Sequence, residues 1–175
     1  MSQRAEGMHS AMGRTGAPEI SPFGRGLVTF VATGAWLGYF PAIPGTAGSV
    51  LGLLLARFAL APIWRHWTAI FLIMFGLAFV AGCSLAGCAE RILDEPDSSV
   101  IVLDEIFGMV ATMFANPVTW PWLMAGFVLF RLLDIIKPWP ASWFDRMSGG
   151  AGVMLDDLAA AFYANIVLRV LQLIL

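Results

Sequence analysis

The sequence predicts an all-α, polytopic membrane bundle of about four to six helices joined by short Pro/Gly-rich turns. Three observations carry this expectation. Hydrophobic residues make up 59% of the 175-residue chain and charged residues 13%, against roughly 45–50% and 25% in an average soluble domain; mean hydropathy is +0.79. Uncharged runs recur along the chain at about the 20-residue length that a helix needs to cross the hydrocarbon core. The alternating ten-residue pattern of an outer-membrane barrel is missing. The same composition excludes a disordered chain. A net charge of −2 with a single lysine, Lys137, leaves no basic footprint for nucleic acid.

Residues 1–25 are polar, with Arg4, Arg14 and Arg25 against Glu6 and Glu19. They lack the layout of a cleaved signal peptide and read as a loosely ordered tail, whose positive excess places it in the cytoplasm. Residues 26–175 read as one membrane domain. Gly26 to Ala56 is uncharged but broken by Pro41 and Pro44, so a first segment runs to about Phe40 and a second helix starts near Thr46. Trp67 to Ala89 is the cleanest span, with Ala78, Gly82 and Ala86 at the four-residue spacing that lets membrane helices approach closely. Asn116-Pro117 interrupts Ile106 to Phe130, and the last segment runs from about Leu155 to Leu175, with Arg169 placed to snorkel. Trp64, Trp67, Trp120, Trp122, Trp139 and Trp143 mostly flank the apolar runs as an interfacial belt would, and a core position is the alternative for Trp36. Cys83 and Cys88 lack a His or CxxC context and read as packing residues.

Ionisable groups beside membrane helices default to a functional reading. The acidic residues crowd between Asp94 and Asp157 in three clusters. In the first, Asp97 lies seven residues before Asp104-Glu105. On a continuous helix they would share a face but sit about 10 Å apart along the axis, too far to ligate one ion together. Asp97 also suits a helix N-cap, and an ion pair is the alternative for Asp104 and Glu105. In the second, Arg131, Asp134 and Lys137 are spaced three apart on a helix ending near Pro138. They form one polar ridge: either a salt-bridge ladder or two cations and a carboxylate for a phosphoryl group and a metal. In the third, the turn around Asp145 to Gly149-Gly150 leads into a helix carrying Asp156-Asp157. Its N–H groups can wrap an anion, and dipole complementarity is the alternative for one of the two aspartates. Pro44-Gly45-Thr46 is a small-residue turn that either caps the next helix with Thr46 or brings backbone to a phosphate.

Carboxylates on separate segments with Arg and Lys beside them point to a divalent metal and a phosphorylated substrate. An oxygen-rich donor set suits Mg²⁺. The clusters hold no His, which argues against zinc, and there is no P-loop.

Four motifs in order carry a family resemblance. They are Pro44-Gly45-Thr46-Ala47-Gly48-Ser49, Asp97 with Ile101-Val102-Leu103-Asp104-Glu105, the run from Phe130 through Arg131, Asp134 and Lys137 to Pro140, and Gly149-Gly150-Ala151-Gly152-Val153-Met154-Leu155-Asp156-Asp157. From about Phe23 to the C-terminus the chain resembles bacterial phosphatidylglycerophosphatase A. Phe107 and Val153 are hydrophobic departures from the usual pattern and touch nothing catalytic. The resemblance implies a helical Mg²⁺-dependent phosphatase of the bacterial inner membrane, hydrolysing the terminal phosphate monoester of phosphatidylglycerophosphate to phosphatidylglycerol and phosphate. Asp104, Glu105, Asp134, Asp156 and Asp157 are expected to serve catalysis and together to hold Mg²⁺, directly or through water. Arg131 and Lys137, with backbone N–H groups around Gly45-Thr46 or Gly149-Gly150, are assigned to the substrate phosphate. Asp97 and Asp145 are assigned to support around these ligands. The favoured chemistry is direct attack of water on phosphorus, because no Asp has the context of a phospho-aspartyl enzyme and no Cys or His is placed as a nucleophile.

Other classes fit parts of the pattern. A small ion-coupled transporter also uses intramembrane carboxylates, but its site sits on broken helices near the midplane, whereas these clusters adjoin turns at helix ends. The CDP-alcohol phosphotransferase signature is not found, and a chemically inert scaffold leaves the carboxylates unexplained. The tail and the polar site are expected to face the cytoplasm.

Overall fold

The computed structural model describes residues 21–175, and among them every regular element is helical. The tail expectation for residues 1–20 lies outside the described residues; Pro22 to Arg25 already belong to the first helix. That helix, α1 (Pro22–Ala32), starts under a Ser21 cap that accepts from the Gly24 N–H at 3.1 Å. It stops well short of Phe40, because the chain turns over left-handed Gly34, Ala35 and Trp36 into one short 3₁₀ turn, Leu37–Tyr39. Next, α2 (Pro44–Leu55) begins two residues before Thr46, with proline in the first turn and no side-chain cap. Proline lacks only an N–H that is unsatisfied there anyway, so Thr46 is not the cap that the sequence suggested.

The helix passes through a π turn, Ala56–Leu60, into α3 (Ala61–His66), then α4 (Thr68–Leu93). These are followed by α5 (Leu103–Met113), α6 (Trp120–Ile136), α7 (Ala141–Phe144) and α8 (Gly150–Ile174). Three stretches are long and apolar enough to cross a membrane: Pro44–His66, Thr68–Leu93 and Gly150–Ile174. The 17-residue α6 exposes Val128, Leu132 and Ile135 in the same manner. The chain is a helical membrane protein.

The short α5 is the centre of the bundle, packed mainly against α8 and α2. Buried Met109, Met113, Leu123, Phe130, Ala160, Ala161, Ala164 and Leu168 form the main core. On α4, Gly82 and Ala86 are buried, with Gly82 against Met154 of α8. Ala78 of the same row is exposed. Lower on α4 the inward contact passes to aromatics: Phe71 stacks on Phe114 at 5.1 Å and Phe75 meets Phe107 at 5.4 Å.

One tryptophan expectation is reversed, and the alternative for another falls away. Trp64 is 3% exposed and sits edge-on to Phe71 and Phe114, because α3 folds back against the start of α4. Trp36 is 52% exposed in its left-handed turn. Trp67, Trp120, Trp139 and Trp143 are exposed as the belt requires, while Trp122 packs partly on the core. Arg169 does more than snorkel: it donates to Asn165 Oδ1 at 2.8 Å and to the Phe114 carbonyl at 3.3 Å. Asn165 itself donates to the Thr112 and Phe114 carbonyls at 2.9 Å. Together they satisfy the carbonyls at the end of α5 that have no intrahelical partner.

Candidate metal and phosphate site

Successive helices run in opposite directions, so the start of α2, the end of α4, the start of α5, the end of α6 and the start of α8 meet at one end of the bundle. The Val102 N–H donates to the Ala32 carbonyl at 3.0 Å, which ties the start of α5 to the end of α1. The first turn of α5 then presents Asp104 and Glu105 inward, where Asp157 of α8 meets them. One oxygen from each of Asp104, Glu105 and Asp157 lies within 4.8 Å of the others.

Asp104 Oδ1, Glu105 Oε2 and Asp157 Oδ2 are buried with no hydrogen-bond partner. Asp157 is buried and Asp104 and Glu105 are half-buried, and three neighbouring carboxylates with buried, unbonded oxygens are a costly arrangement without a cation. At eleven residues α5 is too short to cross a bilayer. Burial first, then the neighbouring Glu105 and Asp157 charges, push the Asp104 carboxyl well above the ordinary carboxylate range. Hard oxygen donors at this spacing could together hold a metal ion.

Arg131 and Asp134 project from the last turns of α6. Arg131 Nη1 pairs with Asp134 Oδ2 at 2.9 Å and lies 3.9 Å from Glu105 Oε1. Asp134 is a charge neighbour of both Glu105 and Asp157. The expected three-residue ridge holds for this pair only. Lys137 ends α6 in a left-handed conformation at φ +47°, its N–H donating to the Leu133 carbonyl at 2.8 Å. Pro138 forbids another helical turn. The Lys137 ammonium therefore leaves the ridge, bonding Asp156 at 2.7 Å and also Asp145. Burial lowers the Lys137 pKa, but hydrogen bonds and charge from Asp145 and Asp156 outweigh it and hold the ammonium above its usual range.

Adjacent aspartates on α8 thus serve different neighbours. Asp157 joins the carboxylate trio, and Asp156 joins Lys137 and Asp145. Successive helical side chains point about 100° apart, so the adjacency in sequence separates them in space.

Two glycines let backbone approach this end closely. A Cβ on Gly45 would collide with Glu105 Oε1, so the Pro44-Gly45 turn lies directly against the trio. A Cβ on Gly150 would collide with the Cys83 carbonyl and the Gly87 amide nitrogen of α4. Gly149 enters α8 at φ +84°. A cleft of about 350 Å³ is lined by Gly45, Thr46, Asp97, Asp104, Glu105 and Arg131. A larger one of about 650 Å³ is lined by Glu90, Arg91, Asp97, Asp145, Gly150 and Asp156, among others.

Asp97 sits where the two clefts meet. It neither shares a helix with Asp104 nor caps one: its φ is +51°, and its N–H donates to Glu90 Oε1 at 2.9 Å. Sequence reasoning missed the part played by Glu90 and Arg91 in the larger cleft. Glu90 ends the small-residue row of α4, and that row aims at α8, which was the available signal. It also missed Tyr163, whose hydroxyl donates to the Trp139 carbonyl at 2.8 Å and fixes the turn beyond Lys137.

The family model and two of the relatives carry the same description. The sequence model of a family described as Phosphatidylglycerophosphatase A matches residues 30–172. Phosphatidylglycerophosphatase A of Haemophilus influenzae is 37% identical over 147 residues, covering 83% of this chain and 88% of its own. The Escherichia coli protein of the same name is 38% identical over 132 residues, 74% of each chain. A Bacteroides thetaiotaomicron protein is 35% identical over 150 residues, 82% of this chain and 92% of its own; its name refers to phosphatidylinositol-3-phosphatase activity. No solved structure matches the chain. These matches do not favour a transporter. The family match runs through every carboxylate and cation that the fold brings to this end of the bundle, and the chain belongs to the phosphatidylglycerophosphatase A family.

Proposed function

We propose that this chain is a Mg²⁺-dependent lipid phosphatase that converts phosphatidylglycerophosphate to phosphatidylglycerol and phosphate. In this reading residues 26–175 form the catalytic domain in the bacterial inner membrane, with the site facing the cytoplasm. One observation carries it: three carboxylates, each with a buried oxygen that has no hydrogen-bond partner, converge beside Arg131. The names of the Haemophilus influenzae and Escherichia coli relatives supply the substrate.

Asp104, Glu105 and Asp157 would hold the cation. When bound, it offsets phosphate charge and lowers the pKa of a water molecule. Arg131 faces the non-bridging oxygens, and the Gly45-Thr46 backbone lines the same cleft. Lys137 keeps Asp156 and Asp145 in place rather than gripping the phosphate, because its ammonium is already engaged by both. Hydrolysis forms a bond from water oxygen to phosphorus and breaks the bond from phosphorus to the glycerol oxygen. A site carboxylate accepts the water proton and returns it to the departing alkoxide.

The test is phosphate release from phosphatidylglycerophosphate in detergent micelles by the purified chain. Release is expected with Mg²⁺, is abolished by EDTA and is restored by excess Mg²⁺. Chelator-insensitive release would overturn the metal assignment. Faster release from phosphatidylinositol 3-phosphate than from phosphatidylglycerophosphate would overturn the substrate assignment.

A further inference from the structure

We propose that the seam between α4 and α8 holds an acyl chain of the lipid substrate, a reading that rests on the proposed phosphatase activity. An apolar groove of about 490 Å³ lies between these helices, walled by Phe71, Leu72 and Phe75 on one side and Leu158, Phe162 and Ile166 on the other. Ala111 and Phe114 of α5 floor it.

Its shape follows from residue size. Near the site, Gly82 and Gly87 of α4 lie against Met154 and Gly150 of α8, and the two helices are in close contact. Towards the other end, phenylalanines replace the small residues and a groove opens. Leu72 is 50% exposed and Ile166 42% exposed, and both helices are long enough to span, so the groove faces lipid.

Two arguments select the substrate's own chain as the occupant. The first is continuity. The same helix pair borders the larger acidic cleft, through Ser84 and Gly87 of α4 and Gly150 and Ala151 of α8. The two clefts meet at Asp97, so a headgroup with its phosphate beside Arg131 reaches the larger cleft and directs its chains toward this seam. The second is depth. Asp157 and Arg169 are twelve residues apart on one helix, about 18 Å at 1.5 Å per residue. That is a little over half of the roughly 30 Å hydrocarbon core, the reach of one chain in the leaflet whose headgroups meet the site. Asn165 and Arg169 close the far end of the groove, and both are occupied with the carbonyls of α5.

The test combines kinetics with photolabelling on the full chain. Leu72→Trp with Ile166→Trp fills the groove from two exposed positions. Ile73→Trp, also exposed on α4 but outside the groove, controls for a bulky surface residue. kcat/KM for dioleoyl phosphatidylglycerophosphate is expected to fall about tenfold in the double variant, while that for the dihexanoyl form stays within twofold and Ile73→Trp changes neither. An equal fall for both substrates, or no fall for either, overturns the proposal. A dioleoyl-length substrate carrying a diazirine on one chain is expected to label peptides around 71–75 and 158–166, and to lose that label in the double variant. Equal labelling by phosphatidylcholine with the same chain marks a bulk-lipid groove and overturns the proposal. If the wild-type chain hydrolyses neither substrate, the phosphatase reading fails, and the labelling arm still decides whether this headgroup directs a chain into the groove.

Discussion

Asp156 and Asp157 are chemically identical neighbours on one helix, yet they face different partners, and substitution separates their roles. Asp157 and Asp104 present buried, unpartnered oxygens to a shared point. Asp104→Asn and Asp157→Asn are each expected to lower kcat/KM by more than about 100-fold, beyond the roughly 10–100-fold cost of losing a partner outside a metal's own ligands. Asp156→Asn and Lys137→Met break one pair, so each is expected to cost about tenfold, and the double variant little more than either alone. Kinetics of the four variants check this, and equal losses at Asp156 and Asp157 would count against the division. Asp104 also predicts a pH effect. Its folded pKa is raised above an unfolded value near 3.9. Its contribution therefore favours folding below that value and is lost as pH rises through the folded pKa. In EDTA the thermal midpoint is expected to fall as pH rises above that unfolded value; Mg²⁺ flattens that fall, and so does Asp104→Asn. Once the fall is complete, Asp104→Asn is expected to raise the midpoint in EDTA by about 2–4 °C, the shift that roughly 1 kcal/mol produces in a chain of this size. That these carboxylates stand beside apolar runs was legible in the sequence, where such charges demand a reason. Which neighbour each one faces was not, because that depends on the rotation of α8 against α5 and α6.

Helix ends decide the rest of the site, and the sequence marked some of them better than others. Proline and glycine signalled the break before α2, the gap between α5 and α6 and the glycine entry to α8, and the structure places all three there. The end of α1 at Ala32 was hidden, because the run beyond it stays apolar and only Gly34 hints at the left-handed turn. Lys137 was misplaced for a related reason: a three-residue ridge assumes a helix that continues, and this one ends on the lysine itself. The two close-approach glycines test how element ends build the site. Gly45→Ala puts a methyl on Glu105 Oε1, the end of a side chain that can move aside. Activity is expected to fall at least about tenfold with little change in thermal midpoint, since the displaced group belongs to the trio and not to the core. Gly150→Ala puts a methyl on the backbone of α4, which cannot move aside. Overpacking of that kind costs about 1–3 kcal/mol, so activity and midpoint are expected to fall together. Thermal melts beside phosphate-release rates distinguish the two patterns.

Across the whole molecule, acidic charge is segregated. Among the described residues every Asp and Glu from Glu90 to Asp157 lies on elements that meet at the site end, while Arg57, Arg65 and Arg169 lie toward the other. Basic residues are divided between the ends, with Arg91, Arg131, Lys137 and Arg146 near the site, so their distribution within the bundle does not by itself orient it by the positive-inside rule. The length of α1 adds the missing constraint. Eleven residues rise about 16 Å, about half of the hydrocarbon core, so α1 cannot carry the chain across. Its last residue is hydrogen-bonded to the start of α5 at the site end. α1 therefore stays on the carboxylate side of the bundle, and that side is expected to be the cytoplasmic one, the orientation that the basic excess of the sequence before α1 suggests. Ser148 is exposed in the turn before α8 and borders the larger cleft; His66 is exposed at the opposite end of the bundle. In a background with Cys83 and Cys88 replaced by alanine, Ser148→Cys is expected to react with a membrane-impermeant maleimide only in inverted vesicles. His66→Cys is expected to react only in intact spheroplasts. The reverse pattern would place the carboxylates outside and would overturn the orientation while leaving the site chemistry as described.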